Sequence, residues 1–347
     1  MKKKLAAWSG IGIAVLLFSG VISLSMGSAQ LPIGEVWRIL VAGIPRIGSF
    51  VEATWPASSE SIVLQVRFPR LVLSILVGAA LSVAGAGFQG VLRNPLADPF
   101  TLGVASGASV GAAFIILFGL QTIFFGQWTI PLAAFTTGVI SLLLVLRLAN
   151  IQGKLRTETV ILAGVVIQAF LGSVVSFMIA MSKQTFNQII FWQMGSLAFR
   201  GWEFSGLLFP YFVVGFLVLI GFSRALNLFA LGERQAAHLG VNIQRTKVIV
   251  LVTATLLTAA AVSVAGVVGF VGLITPHLVR LLVGPDYRLI IPLSALFGGI
   301  YMLWADTIAR MLLSPTEIPL GVVTAFLGAP FFAYLLRKYK QNRGTIM

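Results

Sequence analysis

The chain of 347 residues is 58% hydrophobic and only 10% charged, with a mean hydropathy of +0.99. Soluble domains average about 45–50% apolar and about 25% charged residues, so this composition excludes an ordinary globular protein. The net charge of +14 does not indicate nucleic-acid binding, because the basic residues lie mostly at the ends of hydrophobic segments. The absence of cysteine excludes disulfides, thiolate metal sites and cysteine nucleophiles.

Hydropathy and flanking charge predict an all-α polytopic membrane protein with about ten transmembrane helices. The first apolar segment is longer than the roughly 7–15 residues of a signal peptide, so we expect an uncleaved helix. We treat residues 1–347 as a single transmembrane domain with an external segment at 30–61 and a long polar connection at 223–247. The predicted spans are 6–26, 62–90, 100–120, 129–148, 158–182, 204–223, 248–266, 268–284, 289–311 and 319–336.

Most of the 24 lysines and arginines fall on one side of the membrane when the N-terminus is cytosolic. Because cytosolic loops are enriched in these residues, the bias predicts that both termini lie in the cytosol. Arg67, Arg70 and Arg310 are exceptions, since each lies at the predicted outer end of a span. Arg67 and Arg70 share one helical face, and outer arginines can simply extend to lipid headgroups.

A polar stretch broken by two prolines, RNPLADPF at 93–100, separates the second and third predicted spans. Pro95 and Pro99 end helices, and the side chains of Asn94 and Asp98 can cap helix ends. The glycines and serines that follow allow helices to approach closely. A tight turn, followed by small residues that form a seam of close helix packing, is enough to explain this stretch, and neither feature requires a functional role.

Three long stretches carry a resemblance to a known family: AGAGFQGVLRNPLADPFTLGVASGASVGA, FVGLITPHLVR and PTEIPLGVVTAFLGAPFFAYLL. They resemble the signature stretches of ABC-importer permeases for ferric siderophores, haem and cobalamin, of which the vitamin B12 permease is the best-known member. The similarity runs from the first predicted span to the last, in the same order and spacing. It implies a vitamin B12 permease-like fold, a location in the inner or plasma membrane of a bacterium, and a transport subunit that is not itself an enzyme.

The resemblance also implies a set of partners. A separate ABC ATPase subunit, in two copies, would use ATP and Mg, while this chain binds no cofactor. No Gly-x-x-x-x-Gly-Lys-Ser/Thr loop occurs here, in agreement with that division. An extracytoplasmic substrate-binding protein would deliver a metal chelate, most simply a ferric siderophore, with cobalamin and haem as alternatives. A second permease subunit, identical or paralogous, would complete the pathway.

Within the polar connection at 223–247, the stretch LFALGERQAAHLGVN predicts two short cytosolic helices separated at Gly232. From the residues alone, this is either a surface that docks into another protein or an ordinary solvated loop. In the resembling permeases, the matching stretch contacts the ATPase. The resemblance therefore marks Gly232, Glu233, Ala236 and Gly240 as contact residues, and residues 223–247 are called the coupling segment below.

The resemblance assigns the outer arginines to docking of the binding protein. At these positions, the related permeases use arginine to receive acidic residues of that partner. The planar guanidinium of Arg67, Arg70 or Arg310 can hold a carboxylate through two hydrogen bonds.

The resemblance implies a cytosolic gate formed by two segments, the turn after the second predicted span and the loop before the fifth. Residue by residue, these positions are Asn94 and Leu96, and Thr157 and Glu158. The vitamin B12 permease has small hydroxyl residues in the second of these segments. Arg156 and Glu158 bring charge there instead, so the chemistry of this gate differs.

Few strongly polar side chains lie within the predicted spans. Gln168 in the fifth span either ties helices together or contacts the transported molecule. Asp306 is one helical turn from Arg310, and an ion pair between them accounts for its presence. His277 can be interpreted as a haem ligand, but we favour a structural role and predict no metal site.

Two other functional classes fit the sequence less well. An ion-coupled secondary transporter needs buried carboxylates, yet Asp306 is the only acidic residue well inside a predicted span, and it has a nearby arginine. A membrane-embedded enzyme would need a motif such as His-Glu-x-x-His or paired aspartates within the spans. Neither occurs.

Overall fold

The computed structural model describes residues 2–27, 29, 31–44, 46 and 48–344. A π-helical segment, Ile62–Arg67, joins α3 to α4 without a break. The helices are α1 (Lys2–Ser25), α2 (Ile33–Ala42), α3 (Ala57–Ser61), α4 (Phe68–Val91), α5 (Val104–Leu117), α6 (Thr129–Ala149), α7 (Thr157–Met181), α8 (Phe186–Met194), α9 (Trp202–Gly221), α10 (Ser223–Phe229), α11 (Glu233–His238), α12 (Ile243–Ala265), α13 (Val271–Val283), α14 (Tyr287–Met311) and α15 (Leu320–Gly344).

The predicted all-α polytopic class is confirmed. Among the described residues, 7 helical segments are long and apolar enough to cross a membrane. Shorter apolar helices occur at Val104–Leu117, Val271–Val283 and Leu320–Tyr334. Each of the ten predicted spans coincides with one of these helices, although three are too short to count as crossings by length alone.

The third predicted span begins later than expected, and local backbone geometry explains the difference. Residues Pro99–Leu102 form a 3₁₀ turn whose first backbone N–H groups need an acceptor. Asp98 caps this turn, since its carboxylate accepts a hydrogen bond of 2.9 Å from Phe100 N. Gly103 then adopts φ +75°, a left-handed conformation that suits glycine, and α5 starts at the next residue.

Helix α4 forms the centre of the bundle, and nearly all of its residues from Val77 to Val91 are buried. It packs against α9, α12, α13 and α14. Glycines allow the closest approaches, because a Cβ atom at Gly85 would overlap the carbonyl of Gly272 on α13. A Cβ atom at Gly78 would meet the backbone of α14 in the same way. The small residues of the sequence therefore form the predicted packing seam.

The connections between helices lie on two opposite faces. The coupling face carries residues 92–98, 150–156, 222–242 and 284–286, with side-chain bonds between Asn227 and Asp286 and between Leu155 N and Gln244 Oε1. The arginine face carries α2, α3, α8 and the connections 118–128 and 312–319. There, Leu320 N donates to Gly195 O over 2.9 Å, and Trp202 Nε1 donates to Leu64 O over 3.3 Å.

A short hairpin precedes α7 on the coupling face. Strands β1 (Asn150–Ile151) and β2 (Lys154–Leu155) pair in antiparallel register. The two residues between them have positive φ, +51° at Gln152 and +77° at Gly153, as a tight hairpin turn requires. The sequence predicted only a loop here, because strands of two residues are too short to show a periodic pattern.

Candidate functional site

Two of the three outer arginines, Arg70 and Arg310, bind one buried carboxylate, that of Asp306. Arg70 on α4 donates from Nε to both oxygens of Asp306 on α14, over 3.0 and 3.1 Å, and from Nη2 over 2.9 Å. The Arg310 Nε atom donates to Asp306 Oδ2 over 3.1 Å, the i, i+4 pair that the spacing predicted. The side chain of Asp306 is only 3% exposed. This carboxylate is thus neutralised where isolated charge would be costly.

A second carboxylate, which the sequence analysis did not single out, occupies the other side of the same guanidinium. Arg70 Nη1 and Nη2 donate to the two oxygens of Glu317 over 2.8 and 2.9 Å. Glu317 lies in the connection between α14 and α15, within the stretch PTEIPLG, and its side chain is 36% exposed. The sequence did contain a signal for this contact, namely an acidic residue in the turn between the last two predicted spans, on the side where the arginines were predicted to lie. All donor atoms of Arg70 therefore have partners within the chain.

Arg67 and Arg310 bind the end of the first helix. Arg67 donates from Nη1 to Leu24 O over 2.7 Å and from Nη2 to Ala29 O. Arg310 donates to Met26 O over 3.1 Å and to Ser23 Oγ over 3.0 Å. Together with Arg70 and Glu317, these arginines line a cavity of about 270 Å³ on the arginine face. The structure thus brings all three sequence-predicted arginines together.

The predicted gate residues lie on the coupling face in two groups. Leu96 N donates to Asn94 Oδ1 over 2.9 Å, and the Leu96 side chain is exposed. Thr157 opens α7, and its hydroxyl contacts Glu233 Oε1 at 3.4 Å. Glu158 is exposed on the same turn. One of the predicted gate residues, Thr157, therefore contacts the coupling segment directly.

The coupling segment contains two short helices, α10 and α11, separated by Gly232 at φ +111°. Gly240, which follows α11, is exposed and has φ +86°. Ala236 is fully buried and packs into the core of the bundle. The most exposed apolar side chains here are Leu231, 61% exposed, and Leu239, 59% exposed. These two leucines were missed, although their places at either end of a small-residue helix were visible in the sequence.

Gln168 lies in a polar stripe along α7. Gly172 and Ser176 follow it at helical spacing, and Ser106 and Ser109 on α5 lie opposite. Gln168 and Ser176 are exposed in the single chain. These residues line a cavity of about 280 Å³ without a charged side chain. Exposed polar groups at this depth need water or protein beside them, not lipid tails.

His277 on α13 packs beside Phe332, with their ring centroids 6.1 Å apart. Within the described part of the chain, no group of three or more His, Asp or Glu residues is arranged to hold a metal ion. On the side that faces Phe332, His277 thus packs against an apolar ring.

Two acidic groups on the coupling face have altered pKa values. The hydrogen bonds from Arg288 lower the pKa of Asp286 to about 2. Burial raises the pKa of Asp98 to about 6, partly opposed by the hydrogen bond from Phe100 N. Asp98 caps the turn that follows the predicted gate residues Asn94 and Leu96, so its protonation state affects the local structure there.

A bundle of apolar helices long enough to cross a membrane, with a polar stripe along α7, indicates a membrane transport subunit. The FecCD transport family matches residues 15–338 of the chain. The chain belongs to this family of ABC transporter permeases.

Relatives and solved structures agree with this assignment. The uncharacterised ABC transporter permease YvrB of Bacillus subtilis is 41% identical over 335 residues, covering 96% of this chain and 94% of the relative. The cobalamin import system permease BtuC of Halobacterium salinarum is 44% identical over 288 residues, covering 81% of this chain and 75% of that protein. An ABC transporter of the metal-chelate type in an inward-facing conformation superposes with a TM-score of 0.82 and 32% identity, covering 97% of this chain and 100% of that one.

Proposed function

We propose that this chain is the translocation subunit of an ABC importer that carries a bulky metal chelate into the cytosol. The observation that carries the proposal is the course of α7. This helix begins at Thr157, in contact with the coupling segment, and carries the polar stripe of Gln168 and Ser176 toward the opposite face. A separate ATPase, in two copies, supplies the energy through the coupling segment.

The cargo that we favour is a ferric siderophore, the broadest use of the permeases that the sequence resembles. Cobalamin is the second candidate, because the cobalamin permease of Halobacterium salinarum is 44% identical to this chain. The uncharged lining around Gln168 and Ser109 suits either molecule, since both present peripheral polar groups around an enclosed metal. The pathway contacts the cargo briefly, so we assign selectivity to the binding protein.

Arg67, Arg70 and Arg310 form the docking site for acidic residues of the extracytoplasmic binding protein. They line an open cavity on the arginine face, and their combined charge exceeds that of Asp306 and Glu317. The excess positive charge favours an approaching carboxylate. On the coupling face, Gly232, Glu233, Ala236 and Gly240 shape the segment that meets the ATPase, and Leu231 and Leu239 add exposed apolar area.

A second copy of the chain completes the pathway along α7. The exposed side of this helix carries large apolar residues, including Leu162, Phe170 and Phe177, beside the polar Gln168 and Ser176. A mixed surface of this kind is poorly suited to lipid but suits contact with an identical helix across a two-fold axis. We place the coupling face and both termini in the cytosol, because most of the lysines and arginines fall on that side.

Uptake into proteoliposomes tests this proposal. The chain is reconstituted with its ATPase and binding protein, and accumulation of ferric siderophore, cobalamin and haem is measured with and without ATP. ATP-dependent accumulation of one chelate is expected. Accumulation driven by an ion gradient alone, or by the permease without any ATPase, would contradict it. The affinity of the binding protein for the three chelates then decides the cargo.

A further inference from the structure

The hairpin before α7 is held by two side chains of α12. Leu155 N donates to Gln244 Oε1 over 2.9 Å, and Lys247 Nζ donates to Leu155 O over 2.9 Å. Gln244 and Lys247 lie i, i+3 on one face of α12, so both reach the same residue. The backbone of Leu155 is therefore fixed on both sides, two residues before Thr157 opens α7.

Lys247 also binds the coupling segment's second helix. Its Nζ atom donates to Glu233 Oε2 over 2.9 Å, while Thr157 Oγ1 donates to the other oxygen, Oε1, over 3.4 Å. The guanidinium of Arg93, beside the gate residue Asn94, lies 3.8 Å from the same Oε1 atom. One carboxylate on α11 thus contacts both segments of the predicted gate.

The burial of Lys247 distinguishes this contact from an ordinary surface pair. Its side chain is 3% exposed, whereas that of Glu233 is 31% exposed. Lysine is almost never buried to this extent unless its charge is paired, and a buried pair is costly to desolvate. A purely packing role would be served better by an apolar side chain of similar length. The charge of Lys247 is therefore explained by its contact with Glu233 and not by packing.

We propose that Lys247 is a positioning residue that transmits movement of α11 to the hairpin and the start of α7. When the ATPase displaces α11, Glu233 moves with it, and Lys247 carries that movement to Leu155 and Thr157. The pair of Glu233 and Lys247 thereby links nucleotide-driven motion to the gate. This inference rests on the proposed function, because it requires an ATPase that acts on the coupling segment.

The test compares uptake with ATP hydrolysis in the same proteoliposomes, containing the permease, its ATPase and its binding protein. K247M removes the charge and keeps an unbranched apolar chain, while K247R keeps the charge. We expect K247M to reduce cargo uptake per ATP hydrolysed by about tenfold, within the roughly 5–150-fold range typical of coupling between sites. K247R should stay near the wild-type ratio. K154M, the same change at an exposed lysine of the hairpin, is the matched control and should leave the ratio unchanged.

A second variant covers the case in which K247M does not assemble, because that change leaves Glu233 without its partner. E233Q/K247Q removes both charges together and should show the same loss of uptake per ATP. A wild-type ratio in either variant would overturn the inference, and so would an equal loss in K247R or K154M. If the wild-type complex itself shows no ATP-dependent uptake, the proposed function fails instead, so the two failures are distinguishable.

Discussion

Arg70 on α4 and Asp306 on α14 form a buried ion pair, with three hydrogen bonds of 2.9 to 3.1 Å between them. Their positions in the sequence are 236 residues apart. The pair joins the central helix to a helix that packs along much of its length, and Arg310 shares the same carboxylate. A single aspartate therefore anchors two of the three arginines that we assign to docking.

Loss of this carboxylate should destabilise the bundle. We expect Asp306→Ala to lower the free energy of unfolding by about 3–5 kcal/mol, since it leaves Arg70 and Arg310 buried without a common counter-ion. Chemical denaturation of the purified protein in detergent measures the change. Glu52→Gln, which neutralises an exposed carboxylate on the same face, is the control and should have almost no effect. An unchanged midpoint for Asp306→Ala would show that water or another group replaces the carboxylate.

Glu317 should compete with the binding protein for Arg70. Glu317→Gln weakens an ion pair that is partly exposed, and such pairs contribute about 0–1 kcal/mol. We therefore expect the permease to bind its binding protein about two- to fivefold more tightly, as measured by surface plasmon resonance on nanodiscs. Glu60→Gln makes the same charge change elsewhere on the arginine face and should leave the affinity unchanged. Weaker binding by Glu317→Gln would mean that this glutamate orders the docking site and does not block it.

The contact between α4 and α13 should tolerate no side chain at Gly85. A Cβ atom there would overlap the carbonyl of Gly272, so the two backbones must move apart. We expect Gly85→Ala to cost about 1–3 kcal/mol, as overpacking usually does. Gly206→Ala on α9 is a matched control, because no atom lies within 4 Å of the added Cβ. Equal stability of the two variants in thermal unfolding would contradict the packing seam.

Protonation of Asp98 should affect stability in the mildly acidic range. The pKa of Asp98 is about 6 in the folded protein, whereas the ordinary value for an aspartate is 3.8. The folded state therefore binds the proton more tightly than the unfolded state does. The contribution of Asp98 to the free energy of unfolding therefore decreases as the pH rises from about 4 to about 6, and it is constant above that range. Asp98→Asn keeps the acceptor for Phe100 N but removes the titration.

The measurement for Asp98 is the unfolding midpoint of both proteins between about pH 4 and about pH 7. The stability of Asp98→Asn relative to the wild type should increase with pH over this interval. All other titrating groups are the same in the two proteins and cancel in the difference. A constant difference would show that Asp98 is hydrated and has an ordinary pKa.

The sequence by itself determined the class of fold and the position of each membrane helix. Hydrophobic transfer is a property of each segment, so a long apolar stretch predicts a span without knowledge of its neighbours. Local spacing also predicted the pair of Asp306 and Arg310, because residues four apart on a helix are adjacent. Motif similarity identified the family, which the match over residues 15–338 confirms.

Only the tertiary structure decided which distant groups meet. Glu317 lies 247 residues from Arg70, and Lys247 lies 92 residues from Leu155. Their contacts depend on how α4, α12 and α14 pack, and that packing is set by close backbone approaches at glycines such as Gly85. The local sequence pattern does not predict which helices approach closely, because a close approach depends on the shapes of both helix surfaces at once.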